Sequence, residues 1–492
     1  MSTESVTTQL PPAQEASLKK LTLIWVLTML ALFPILALLG GLMRSAQANL
    51  VTNLPADRFY SFMTLHGVGM VGTWFVAAMA GAVFCLRRYV AVSVKVNWIA
   101  YFGTLLGVVL LLACTLIGKY GAGWYFLYPL PFKAMGAWEG WATATFFATL
   151  GVLGVSWTLW SLDLVRAIAV KYPLSAALGW DCIRGKKDAQ EVPPSVLISL
   201  VATLANLVGL VTAVVLLVLL AIEHLGGGTP NDALLLKNLT FLFGHLLVNI
   251  TLYFGVAMVY ELLPAYTGRA WKNNKLIAIA WNIVLLLVIL AYFHHLYMDF
   301  VQLRWMQLVG QISSYMSAIP AAVMSIFGAL ANLYRSKMRW TMASSLLFLG
   351  VLGWTIGGIG AVIDSTVAVN LLFHNTLWVP AHFHTYFLMG LTLMVLGGCF
   401  HIAEALSSEI EKKWLSKLVL VLMCVGGYGF LLMFYISGAD SVPRRYASYS
   451  PDIAQGIIHA KIATAFVAVF LVGLLIYIWE TGRRCVRAFR AV

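Results

Sequence analysis

Six histidines set the chemistry this sequence can do: His66, His245, His294, His295, His382 and His384, each within or at the edge of a strongly apolar run. His382 and His384 are two residues apart. At about 100° per helical residue they point some 200° apart and must serve two separate sites. His294 and His295 are adjacent, so both can reach one ion from a single helix, whereas His66 and His245 stand alone on their own runs. Imidazole is the natural ligand of haem iron and of copper. A lone histidine inside a membrane is more often a hydrogen-bonded core residue than a ligand. An i,i+2 pair together with an adjacent pair has no such ordinary explanation. Six imidazoles on four helices can supply two axial ligands to one haem, one to a second haem, and three to a nearby metal.

These ligands need membrane-spanning elements to hold them. The 492 residues are 61% hydrophobic and 10% charged, with a mean hydropathy of +0.87, where a soluble domain carries roughly a quarter of its residues as charges. A helix needs about 20 apolar residues to cross a bilayer. Twelve such spans are expected, at about 22–43, 60–86, 97–118, 138–163, 195–222, 238–263, 276–298, 305–334, 340–363, 371–403, 414–438 and 457–480. They are helices rather than strands, because a backbone in lipid must satisfy its own hydrogen bonds. The chain is thus an all-α integral membrane protein: a cytoplasmic segment 1–21, a catalytic domain 22–480 and a basic cytoplasmic tail 481–492.

Most lysines and arginines, among them Lys19, Lys20, Arg87, Arg88, Arg335, Lys337 and Arg339, fall on the side of the N-terminus, which places both termini in the cytoplasm. The same distribution explains the net charge of +13 without nucleic acid. The six cysteines form no C-x-x-C pair and no C-x-x-C-H, so a haem in this chain is held non-covalently. The start of the chain does not read as a cleaved signal peptide.

The motifs resemble the catalytic subunit I of the haem–copper oxidases. They are Leu65-His66-Gly67, Gly244-His245, His294-His295, Trp378-Val379-Pro380-Ala381-His382-Phe383-His384 and Val442-Pro443-Arg444-Arg445-Tyr446, in order over about residues 20–480. The resemblance implies the twelve-helix fold of that subunit and two haems, a low-spin one between His66 and His384 and a high-spin one on His382. It further implies a metal on His245, His294 and His295, with Arg444 and Arg445 holding haem propionates through charge-assisted pairs. His374, in His374-Asn375-Thr376, resembles the propionate-side histidine of B-type oxidases, and Asp299 is placed in the same region. His224, His401 and His459 match no motif and are assigned to interfaces.

One departure bears on function. Oxygen-reducing members of A and B type carry a redox-active tyrosine four residues after the first metal histidine, in His-Pro-x-x-Tyr. Here the run is His245-Leu246-Leu247-Val248-Asn249, and the C-type position for that tyrosine is Val288. Tyr292 and Tyr297 lie near the His-His pair but at neither family position. Splitting dioxygen takes four electrons, one of them from that tyrosine. Reducing two NO to N2O takes two, and the family's nitric oxide reductases lack it. Asn249 faces the metal by the one-turn rule and can donate a hydrogen bond to bound substrate.

The sequence therefore predicts a respiratory nitric oxide reductase subunit in a bacterial or archaeal cytoplasmic membrane, with a terminal oxygen reductase as the alternative and Asn249 as catalytic residue. The three-nitrogen set suits copper better than iron, which usually takes a harder oxygen ligand as well. Glu261, some 24 Å along the helix from His245, is too distant to serve as one. Electrons must come from a separate subunit on the outer face, carrying cupredoxin-type copper or a c-type haem. Ser313, Ser314 and Ser317 share a helix face that could begin a proton path or simply aid packing.

Overall fold

The computed structural model describes residues 10–226, 230–299 and 301–492. Among these residues, twelve helices are long and apolar enough to cross a membrane: α1 Pro12–Gln47, α2 Ala56–Leu86, α3 Val94–Ile117, α4 Gly140–Lys171, α5 Pro194–His224, α6 Ala233–Thr267, α7 Lys275–Leu296, α8 Arg304–Leu333, α9 Met342–Ser365, α10 Trp378–Ser407, α11 Lys413–Ala439 and α12 Pro451–Ala491. No strand occurs among them; the single antiparallel bridge joins Thr376 to Pro443. The helix starts are written in short polar residues. Ser93, Asp232 and Asn274 each accept a first-turn backbone N–H, and Thr341 with Ser344 forms a reciprocal capping box.

Consecutive helices pack as antiparallel neighbours, and α1 closes the ring against α12. Three helices form the centre. The apolar stretches of α2, α6 and α10 are 78%, 67% and 83% buried, against 50% or less for every other span. These are the helices that carry His66, His245, His382 and His384. Burial here comes from protein rather than lipid, which lets polar ligands sit at membrane depth.

Three boundaries differ from the sequence expectation. The tenth span begins at Trp378, not near residue 371, because residues 367–373 form a separate short helix. Asn375 then breaks the path with φ of +64°, a left-handed conformation that asparagine tolerates better than most residues. Pro380 falls in the first turn of α10, where a missing N–H costs nothing. The tail 481–492 is a continuation of α12 rather than a free basic segment. Arg484 is fully buried, bound to the Glu480 carboxylate and to the carbonyls of Glu409 and Ile410. Helix α1 starts at Pro12, inside the segment assigned to the cytoplasm, of which residues 1–9 lie outside the described residues.

Candidate haem and metal site

A continuous cavity of about 440 Å³ runs through the centre of the bundle, and all six histidines line it. On one side of it, the rings of His66 and His384 face each other with planes 17° apart and centres 6.4 Å apart. The Nδ1 of His66 donates to Leu36 O at 2.8 Å, and the Nδ1 of His384 to Pro380 O at 2.7 Å. Each bond leaves Nε2 free, and the spacing accommodates two metal–nitrogen bonds of about 2 Å. The site fits an axial pair. Gly40 makes the approach possible, since a Cβ there would meet His66 Cε1 at 2.8 Å.

His382 points the other way, toward α9, where a Cβ on Gly360 would lie 3.0 Å from its Nδ1. His384 instead contacts Phe430 and Phe434 of α11. The two-residue spacing thus separates the two imidazoles as the helical geometry requires.

His245, His294 and His295 offer ligand atoms that all lie within 4.8 Å of one another. Three nitrogens bound at about 2 Å to one ion lie roughly 3–4 Å apart, so small ring rotations suffice to close the triad. The adjacent pair does not sit on regular α-helix. Tyr292–Leu296 is a 3-10 turn, in which successive residues are about 120° apart rather than 100°. His294 Nδ1 donates to Ser314 Oγ at 2.9 Å, and Ser314 in turn donates to Gly310 O at 2.6 Å. This relay fixes the tautomer that leaves Nε2 of His294 as a ligand. Ser314 therefore has a partner that packing alone does not explain. Ser317 lines the same cavity.

Asn249 also lines the cavity. Its Nδ2 donates to His245 O at 2.8 Å and lies 3.4 Å from His245 Nε2. One amide proton is thus committed to the helix backbone, and the other has the His245 ring beside it, with Nδ1 at 3.5 Å. Tyr292 and Tyr297 are turned elsewhere, donating to Asn238 Oδ1 and Ser365 O. The phenols that do line the cavity are Tyr253 and Tyr386, together with Tyr125 at the outer end.

At that outer end, Thr376 and Pro443 pair as a bridge that brings His374 beside Arg444 and Arg445. Arg444 donates through its backbone to Asn375 O and through Nη2 to Asn375 Oδ1, while its buried Nε has no partner. Arg445 lies over the Tyr125 ring at 4.0 Å. Burial, then the adjacent Arg445, pushes the Arg444 guanidinium down to about 9. Two desolvated guanidiniums side by side call for anionic partners, and a propionate pair fits them. Burial and the nearby Arg444 likewise push the His374 imidazole down to about 4, keeping it neutral. Asp299 is ion-paired with Lys237 at 2.6 Å.

Sequence reasoning did not single out Arg44. The side chain is 2% exposed, lines the cavity beside His66 and lies 4.9 Å over the Phe434 ring. A charge so near a helix end gave no cue that it turns inward. Glu261 is held near the C-terminal end of α6 by Tyr89, Ser195 and Arg88, outside the cavity. Of the histidines outside the motifs, His401 accepts from or donates to Tyr266 at 2.7 Å, and His224 packs on Phe132.

Comparison with known proteins agrees with this geometry. Residues 20–476 match the family model described as Cytochrome C and Quinol oxidase polypeptide I. A cytochrome c oxidase subunit 1 of Thermostichus vulcanus is 24% identical over 91% of this chain and 81% of its own length. A heme-copper oxidase subunit I+III of Aeropyrum pernix is 25% identical over 92% of this chain and 55% of its own. A heme-copper terminal oxidase dimer solved by cryo-EM superposes with a TM-score of 0.75 at 20% identity, covering 96% of this chain and 84% of that one. With the family's motifs gathered in one cavity and the family model matching nearly the whole length, the chain belongs to the haem–copper oxidase subunit I family.

Proposed function

We propose that this chain is the catalytic subunit of a respiratory nitric oxide reductase, in which 2 NO, two electrons and two protons give N2O and water. One observation carries the reading: the position one turn beyond His245 holds Asn249, an amide that cannot supply an electron, where the family's oxygen reductases place their tyrosine. Of the tyrosines near the His-His pair, Tyr292 and Tyr297 are directed away from the cavity.

In this reading His66 and His384 hold a low-spin haem, His382 a high-spin haem, and His245, His294 and His295 a copper ion, with Arg444, Arg445 and His374 at the propionates. When bound, these groups carry the electrons and bind the gas. The residues of the chain do the rest. Ser314 holds His294 in its ligating tautomer, and the second Asn249 N–H donates to a substrate oxygen. The two guanidiniums fix the carboxylates at the outer face. Electrons enter from a separate outer-face subunit bearing cupredoxin-type copper or a c-type haem. The membrane is a bacterial or archaeal cytoplasmic membrane, with both termini inside.

Oxygen reduction is the second reading. It is favoured by the names of the relatives, which include several cytochrome c oxidase subunits. Identity of 20–28% carries the family but leaves the residue at 249 free to change the substrate. Mass spectrometry of reduced, purified enzyme supplied with ¹⁵N-labelled NO separates the two. Doubly labelled N2O at a rate proportional to enzyme supports the proposal, and its absence overturns it.

A further inference from the structure

We infer that Tyr253 is the proton donor to the substrate, an assignment that rests on the reading of the cavity as a site of gas reduction. On α6 the residues facing the cavity form a single stripe of Phe241, Gly244, His245, Val248, Asn249 and Tyr253. Tyr253 stands two turns after His245 and one turn after Asn249, on the cytoplasmic side of the metal triad. Side chains on a helix lean toward its N-terminus, which aims this phenol back toward Asn249. The residue is 2% exposed. Its ring is held edge-on by Trp281, with centres 5.3 Å apart, and the residue forms part of the cavity wall.

A phenol on a cavity wall can donate its O–H to whatever occupies that cavity. Packing accounts for the ring, which Trp281 grips, but a phenylalanine would pack there equally well. Only the hydroxyl distinguishes the two, and it borders the reaction space. Among the titratable groups that line the cavity, which include His245, His294, His382 and Asp364, Tyr386 interacts electrostatically with Tyr253, and it lies against His382, with ring centres 6.0 Å apart. Seven residues beyond Tyr253 and on the same face of α6, the Tyr260 hydroxyl meets Ser325 Oγ at 3.1 Å. That pair lies toward the cytoplasm and stands on the side from which a proton is returned.

The step balances without oxidation of the phenol. Two NO form one N–N bond, and one N–O bond breaks. The departing oxygen leaves as water, taking two protons and two electrons. The electrons come from the external copper or c-type haem donor. Tyr253 gives one of the protons: its O–H bond breaks as an O–H bond forms on the departing oxygen, and the phenolate is reprotonated from the cytoplasmic side. Tyr253 thus acts as a general acid and not as a radical.

The test compares Tyr253→Phe with enzyme carrying 2,3-difluorotyrosine at 253, whose phenol is more acidic at nearly unchanged size. The Phe variant is expected to lose about a hundredfold or more in N2O turnover, as removal of a general acid does. Its haem spectra, CO binding in the reduced state and metal content stay those of the wild type. The fluorinated enzyme is expected to move the alkaline limb of the turnover–pH profile to lower pH. Where the Phe variant fails to assemble its haems, the fluorinated enzyme alone decides. Wild-type turnover in the Phe variant, or an unmoved alkaline limb in the fluorinated one, overturns the assignment. Wild-type enzyme that makes no N2O at all instead overturns the reading on which it rests.

Discussion

His66 on α2 and His384 on α10 hold their rings nearly parallel at 6.4 Å, and the space for this is made by a third helix. Gly40 of α1 lies so close that a methyl group there would meet His66 Cε1 at 2.8 Å. Gly40→Ala is therefore expected to turn the His66 ring and abolish the low-spin haem spectrum while leaving the high-spin signal. Optical and EPR spectra of the purified variant check this, and an unchanged low-spin signal contradicts it.

Ser314 links His294 to the backbone of α8 through two hydrogen bonds. Removing an orienting partner of a metal-bound histidine typically costs 10–100-fold in metal affinity. Ser314→Ala should lose the metal at correspondingly lower chelator concentrations, and Ser314→Thr should restore retention. A chelator titration followed by elemental analysis reads both.

Arg444 has a buried, unpartnered Nε and a second guanidinium, Arg445, beside it. Arg444→Gln removes the charge that a propionate would balance, so haem content after detergent purification should fall below two per chain. Arg444→Lys should recover part of it, because lysine keeps the charge but not the planar fork. Full haem content in the Gln variant would contradict the placement of propionates at this end.

The gathering of the six histidines was legible in the sequence because its information is local. The i,i+2 spacing of His382 and His384 and the adjacency of His294 and His295 fix directions on a helix whatever packs around it. Span existence was legible for the same reason. What escaped depends on tertiary contact. Ser314 was one of three small residues on a helix face until a histidine twenty residues earlier in the chain met it. Arg44 carried no spacing signal of its own, and the one-turn spacing of Tyr253 from Asn249 gains meaning only with the cavity. The start of α10 was misplaced because the apolar Leu371-Leu372-Phe373 reads as the head of the span, while the break depends on the left-handed Asn375 and the bridge from Thr376 to Pro443.

Asn249 donates one amide proton to His245 O; under the proposed function its amide also donates to substrate and is not a ligand. Asn249→Ala is expected to lower NO turnover about tenfold or more, the scale of one hydrogen bond to a charged group. Metal content should remain two haem irons and one copper per chain in variant and wild type alike. Loss of the copper from the variant would make Asn249 a ligand, and three irons without copper in the wild type would refute copper at this site.

The most direct measurement is a gas-electrode trace of the purified, reduced enzyme offered NO and then oxygen under the same donor. An enzyme that lacks a tyrosine one turn beyond His245 should consume NO rapidly, release N2O at half the molar rate, and take up oxygen slowly. Rapid oxygen uptake with no N2O formed would contradict this account and make the chain a terminal oxygen reductase.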